Sequence, residues 1–253
     1  MQVGFEATHE GLLRCGHAPS GVFAGVTLNA PGASAGPWAS NNMALHVGDT
    51  AAAVLRNRAH LQTTLGADGV QWLEQVHGVH CLHVSPASVV QTPVADAMWT
   101  RHPNIALAVL TADCLPILLW DKAGSMVGAA HAGWRGLKDG VVAQLIAQMP
   151  VAPQNLEAWI GPGIGPRRYE VGAEVWQHFD QPNAGLLEVH PDTEKRFLNL
   201  AAAARLGLYA AGVSKVFSAD LCTYDDQRFY SHRRSGGGPT GRMASVVMLR
   251  SPG

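Results

Sequence analysis

Residues 105–136 read IALAVLTADCLPILLWDKAGSMVGAAHAGWRG, and this stretch decides the fold class. Three short apolar runs follow one another in it, at 105–111, 115–120 and 126–130. Each is apolar at nearly every position rather than at every second one, as strands covered on both faces are. The gaps between them are too short to hold a helix. The chain is therefore not a regular βαβ series, and its sheet must be mixed.

Working outward, residues 21–27 read as an early strand and 31–42, rich in Gly, Pro, Ser and Asn, as a loop. Asp49 is expected to cap a helix over 50–65, with Leu55, Ala59 and Leu65 on one face and Gly66 as its stop. Downstream, a helix is expected over 139–149 and a strand over 157–160, which enters the Gly161-Pro162-Gly163-Ile164-Gly165 turn. Helices follow over 171–179 and 196–211, then strands over 215–218 and 245–249. There is no repeat, coiled coil or linker, so residues 1–253 read as a single domain.

Composition narrows the function. Hydrophobic residues make up 47% of the 253 and charged residues 15%, with a formal net charge of -1. That excludes disorder and the one-sided basic face of a nucleic-acid binder, and it points to small-molecule partners. The four cysteines include no C-x-x-C pair, which fits free thiols in a reducing compartment. Residues 1–22 lack the apolar run of a signal peptide, and no segment is apolar for long enough to span a bilayer. The expected location is the cytoplasm, with no membrane contact.

Three residues with metal-ligand chemistry lie where strands are expected to end. They are His77 in Gln75-Val76-His77-Gly78, Cys114 in Thr111-Ala112-Asp113-Cys114, and His131 in Ala130-His131-Ala132-Gly133-Trp134-Arg135-Gly136. Neighbouring strands would bring two imidazoles and a thiolate to one end of the sheet. Zinc takes such a set and keeps a fourth position for water or substrate. A cysteine nucleophile with a histidine base uses the same residue types without metal. His80 and His83 cannot join His77 on one ion from a regular strand and read as surface or packing residues. No H-x-H pair occurs, which argues against multicopper chemistry. Asp113 is either a proton acceptor or ligand-orienting group, or a turn residue bonded to backbone. Arg58, Arg135, Arg233, Arg234 and Arg242 are candidate anion binders, with Arg135 favoured by its Gly-rich turn beside His131.

These blocks carry a resemblance. Together with Leu45-His46-Val47-Gly48-Asp49, Asn57-Arg58, Tyr169-Glu170-Val171-Gly172, Asp220-Leu221-Cys222-Thr223 and Phe229-Tyr230-Ser231-His232-Arg233-Arg234, they run in order over nearly the whole chain. The set resembles the laccase-domain (polyphenol oxidase) family, also called the purine nucleoside phosphorylase family of that type or the peptidoglycan editing factor family. The resemblance implies an α/β (α+β) fold of four α/β/β/α layers with mixed sheets. It implies zinc, or alternatively copper, on His77, Cys114 and His131. It further implies phosphorolysis of adenosine, inosine, guanosine and methylthioadenosine, adenosine deamination, and nucleoside and phosphate as partners. Asn41, Arg58, Gln75, Arg135 and Arg233 are then the expected substrate-binding residues, with Asp113 beside the catalytic triad. Two departures stand out: Arg167-Arg168 where the family often has cysteine, and Ser40-Asn41-Asn42-Met43 where Ser-Leu-Asn-Leu is common. A copper-dependent phenol oxidase and a cysteine hydrolase of peptidoglycan precursors are the alternatives.

Overall fold

The structure is a computed structural model that describes residues 5–7, 11–180 and 184–251. Residues 1–4 and 8–10, which enter the reading of the amino terminus, lie outside the described residues. The first strands are Phe5–Ala7 (β1), Leu12–Cys15 (β2), Val22–Thr27 (β3), Gly69–Gln71 (β4), Cys81–His83 (β5) and Ala97–Thr100 (β6). Ile105–Thr111 (β7), Leu115–Asp121 (β8), Val127–Ala132 (β9) and Leu156–Ile160 (β10) follow. The last are Glu170–Val171 (β11), Leu187–Val189 (β12), Arg196–Leu198 (β13), Lys215–Ser218 (β14) and Met243–Leu249 (β15). The α-helices are Ala51–Leu65 (α1), Trp134–Asp139 (α2), Val141–Gln148 (α3), Ala173–Trp176 (α4) and Leu200–Ala210 (α5).

Two six-stranded sheets carry the fold, in the orders β1-β2-β3-β15-β7-β4 and β14-β10-β8-β9-β6-β5. Both are mixed. β4 runs parallel to β7, β14 to β10 and β5 to β6, while the other neighbours are antiparallel. The continuous apolar runs are explained by strand parity. On β7, Ile105, Leu107 and Val109 meet Leu118, Trp120, Val127 and Ala129 of the second sheet. Its alternate residues Ala106, Ala108 and Leu110 pack with Leu61 and Leu65 of α1. On β8, Leu115, Ile117 and Leu119 instead pack with Leu145 of α3 and Ala204 and Leu208 of α5. The result is four layers, α1 over the first sheet and α3 with α5 over the second, as the resemblance implied. Leu118 is fully buried between the sheets. Leu118→Ala is expected to lower unfolding stability by about 2–5 kcal/mol, measured by urea denaturation, because a rigid two-sheet core cannot collapse onto the gap.

Several expected elements are corrected. Thr50, not Asp49, precedes α1. Asp49 Oδ1 accepts from Thr50 N, and its Oδ2 accepts from Asn42 Nδ2, so it ties the helix start to the preceding loop. Leu55 is 55% exposed, and the buried face of α1 is Val54, Asn57, Leu61 and Leu65. The helix expected over 139–149 begins at Trp134 and breaks at Gly140, whose left-handed φ of 89° ends α2 and starts α3. Val171 and Arg196–Leu198, expected as helix starts, lie in strands of a third, antiparallel sheet in the order β11-β13-β12. The helix α5 begins later because the Asn199 side chain accepts from Ala202 N and caps it there. No helix among the described residues is long and apolar enough to cross a membrane.

Candidate metal centre

At one end of the two sheets the chain passes repeatedly between them. The β4–β5 segment carries His77 and the β7–β8 turn carries Cys114, each linking the first sheet to the second. His131, on β9, shares strand parity with Val127 and Ala129, which lie between the sheets. The possible ligand atoms of the three residues all lie within 4.8 Å of one another. Cys114 Sγ is 3.9 Å from His77 Nε2, and the two imidazoles meet edge to face with centroids 4.7 Å apart. Sulfur and nitrogen ligands of a tetrahedral zinc sit about 3.4–3.6 Å apart, so a small closure would bring these atoms onto one ion.

The residue that builds the cluster is Asp96, which sequence reasoning missed. It is fully buried just before β6. Its Oδ1 accepts from His131 Nδ1 at 2.8 Å and from His77 N at 3.0 Å. Its Oδ2 accepts from Gly78 N at 2.7 Å and from Val76 N at 3.1 Å. One carboxylate thus shapes the His77 turn and leaves His131 Nε2 as the free ring nitrogen, the usual outer-shell arrangement of a metal-bound histidine. Burial works against its charge, and the His131 and backbone donors overcome this and hold the carboxyl below its ordinary range. The signal was present in the sequence as a lone acid inside the apolar run Val94-Ala95-Asp96-Ala97-Met98-Trp99.

Both ligand-bearing turns contain a non-glycine residue at positive φ, His77 at 60° and Asp113 at 104°. Such conformations persist where the surroundings over-determine them. Asp96 does this for His77. For Asp113, Thr223 Oγ1 donates to Oδ1 and Arg233 N to Oδ2, both at 2.7 Å. Asp113 therefore docks the 223–233 loop against the Cys114 turn, and both of its oxygens are engaged. Gly163 packs on the same turn, where an added Cβ would lie 2.4 Å from Leu115 Cδ2. The glycine-rich turn is thus a point of close backbone approach.

Burial disfavours charge on both Cys114 and His131, yet their mutual attraction, with Asp96 behind His131, outweighs it. The thiol comes down to about 6 and the imidazolium goes up to about 9. The pair favours thiolate, which is the form that ligates metal or attacks an electrophile.

The cluster opens into a cavity of about 270 Å³, also lined by His46, Gln75, His232 and Arg242. Gln75 is committed to structure: its Nε2 donates to Leu110 O and its Oε1 accepts from Leu110 N, which pins the His77 turn to β7. The other expected binding residues are not on this lining. Asn41 is buried, with its amide donating to Leu28 O. Arg135 is exposed and stacks on Trp134. The Arg233 guanidinium donates to Glu170 O, and that of Arg234 to the carbonyls of Thr223, Tyr224 and Phe229. Arg58 lies flat on Trp72 at 3.9 Å and donates from Nε to Met43 O. His80 and His83 are exposed, His80 facing Val94 O and His83 packing on Trp99.

Residues 23–250 match the family described as multi-copper polyphenol oxidoreductase laccase. A Pseudomonas aeruginosa protein named purine nucleoside phosphorylase is 41% identical over 240 residues, covering 92% of this chain and 96% of its own length. The Escherichia coli purine nucleoside phosphorylase YfiH is 40% identical, with 91% and 95% covered. Among solved structures, a Neisseria meningitidis protein of the DUF152 family aligns at a TM-score of 0.90 and 39% identity, over 95% of this chain and all of that one. YlmD of Geobacillus stearothermophilus aligns at 0.91 and 35%, over 98% and 99%. With a shared fold, an ordered set of motifs and near full-length relatives, the chain belongs to this laccase-like family, in which proteins named purine nucleoside phosphorylase are found.

Proposed function

We propose that the chain is a zinc-dependent purine nucleoside phosphorylase for adenosine, inosine, guanosine and methylthioadenosine, with adenosine deamination in the same cavity, working as one domain over residues 1–253. The observation that carries this reading is the His77, Cys114 and His131 cluster in one cavity with the Arg242 guanidinium. The cavity is near the low end of small-ligand sites, about 300–1,000 Å³. The names of the relatives supply the substrate class.

The donor set fits zinc with an open fourth position. Closed blue-copper centres also use two histidines and a cysteine, with a weak axial Met, Gln or backbone oxygen; no methionine lines this cavity, and both ends of the Gln75 amide are held by Leu110. Bound there, zinc would supply a Lewis acid and a water of lowered pKa. The protein's own residues do the rest. Phosphorolysis joins a phosphate oxygen to the anomeric ribose carbon and breaks its bond to the base. Arg242 is on the wall to hold the incoming oxyanion. A proton must reach the departing purine, and the His232 imidazole is on the wall to deliver it.

The test is purine release from adenosine, inosine and methylthioadenosine, with and without phosphate, on protein of measured metal content. Phosphate-dependent release is expected, with inosine formed from adenosine in the phosphate-free arm. Neither product from fully loaded protein would overturn the reading. A second reading has its own observation. Cys114, His131 and Asp96 form a thiolate, imidazole and carboxylate chain, as a cysteine hydrolase requires. Activity in metal-free protein would favour it.

Gly133 gives a further prediction. Its φ of -76° suits any residue, but an added Cβ would lie 2.9 Å from His77 Cδ2 and 3.0 Å from Cys114 Sγ. Gly133→Ala is expected to spread the ligands and weaken zinc binding by roughly 10-fold, as outer-shell changes do, with folding intact. Chelator competition measures it.

A further inference from the structure

Two arginines near the cavity lack acidic partners. Arg242 lines the cavity. Its Nη1 donates to Thr240 O and Gly241 O, and among the described residues no acceptor engages its Nε or Nη2. Arg58 uses Nε for Met43 O and its face for Trp72, which leaves both terminal nitrogens without an acceptor among those residues. No ion pair among the described residues includes either one. Burial depresses both, Arg58 to about 10, and both stay charged at neutral pH.

They are built onto the same backbone residue. Met43 O accepts from Arg58 Nε, and Met43 N donates to Arg242 O at 3.1 Å. Arg242 N donates to Asn42 Oδ1. His46, three residues further on, lines the cavity. Burial lowers its pKa, and the fields of Arg242 and Arg58 add to this, so the imidazole is neutral and can donate a hydrogen bond. The fields of Cys114 and Asp113 favour the charge of Arg242, but among the described residues neither group forms an ion pair with it. Both oxygens of Asp113 are held by Thr223 and Arg233. Glu74, whose field also reaches His46, is exposed.

Partly buried guanidinium groups with unpaired N–H donors are costly unless a ligand supplies the acceptors. We propose that Arg242, with Arg58 anchored on the same residue and His46 beside it, forms an oxyanion subsite in the cavity of the His77, Cys114 and His131 cluster, and that inorganic phosphate is its ligand. Two guanidinium groups without an ion-pair partner among the described residues complement a phosphate dianion. A planar guanidinium with free Nε and Nη2 presents the fork that binds two phosphate oxygens. Contact with the Trp72 ring and the Met43 carbonyl holds Arg58 in place, so its field is fixed before the ligand arrives. The identity of the ligand rests on the phosphorylase reading; its charge does not.

Calorimetric titration of the zinc-loaded protein with inorganic phosphate, at ionic strength matched with chloride, tests the subsite. Saturable binding is expected, and Arg242→Gln should weaken it by about 10- to 100-fold, the worth of a charge-assisted pair of hydrogen bonds. Arg58→Gln should weaken it several-fold. Unchanged phosphate affinity in Arg242→Gln overturns the proposal. Should that variant fail to fold, Arg242→Lys decides: it keeps the charge but loses the fork, so a phosphate KM or Kd raised several-fold supports the subsite and an unchanged one overturns it. Arg242-dependent phosphate binding without base release keeps the subsite and removes the phosphorylase reading. Phosphate-dependent release with the phosphate KM unchanged in Arg242→Gln does the reverse.

Discussion

Asp96→Asn is expected to lower zinc affinity by about 10- to 100-fold and to reduce turnover at limiting zinc by a similar factor, the range found for outer-shell partners of metal-bound histidines. The substitution is nearly isosteric, so the effect comes from hydrogen-bond polarity. In the native protein each carboxylate oxygen accepts two donors: His131 Nδ1 and His77 N on one, Val76 N and Gly78 N on the other. An asparagine has one oxygen and one amine, so either orientation sets an N–H₂ donor against two N–H donors. One orientation disturbs the His131 tautomer, and the other releases the turn that holds His77 at positive φ. Each buried donor left unsatisfied costs about 1–3 kcal/mol, so a lower unfolding midpoint should accompany the loss of metal. Zinc titration with chelator competition measures the affinity, and circular dichroism checks the fold. Native zinc affinity in this variant would show that Asp96 does not position the ligands.

Cys114→Ala is expected to abolish phosphorolysis and deamination while the protein stays folded. The side chain is small and only half-buried, and it belongs to none of the three apolar clusters, so its removal leaves the sheets intact. What is lost is the one thiolate of the cluster, leaving two imidazoles, a set that holds zinc far more weakly. Metal content separates the two chemistries that use this residue. If the native protein turns over only when loaded and Cys114→Ala loses both metal and turnover, Cys114 acts as a ligand. If native turnover survives chelation and still vanishes in Cys114→Ala, the thiolate acts as a nucleophile. Full activity in the variant would sink the site altogether.

The difference between what was legible and what was not follows range. The strands β7 and β8 stand where the apolar runs put them, because a strand buried on both faces writes its burial into every residue. The start of α5 and the short β11 and β13 differ from the expectation, because the Asn199 cap and the pairing of β13 with both β11 and Leu187–Val189 override helical propensity. Arg135 looked like the best anion binder from its closeness to His131 in sequence, yet α2 turns it out onto Trp134. Arg242, far along the chain, immediately precedes β15, which pairs with β7, and so reaches the cavity.

By itself the sequence determined the mixed-sheet class, the near neutrality that favours small ligands, and which three side chains have the chemistry of a metal site. These are properties of residue type and local pattern. Only the tertiary structure decided that His77, Cys114 and His131 meet, that Asp96 binds two of their segments together, that the Gln75 amide and the Asp113 carboxylate are held by hydrogen bonds within the protein, and that Arg242 lines the cluster's cavity. Those facts depend on two sheets packing so that their crossovers converge at one end, and strand pairing between distant segments leaves no mark on the spacing of any one of them.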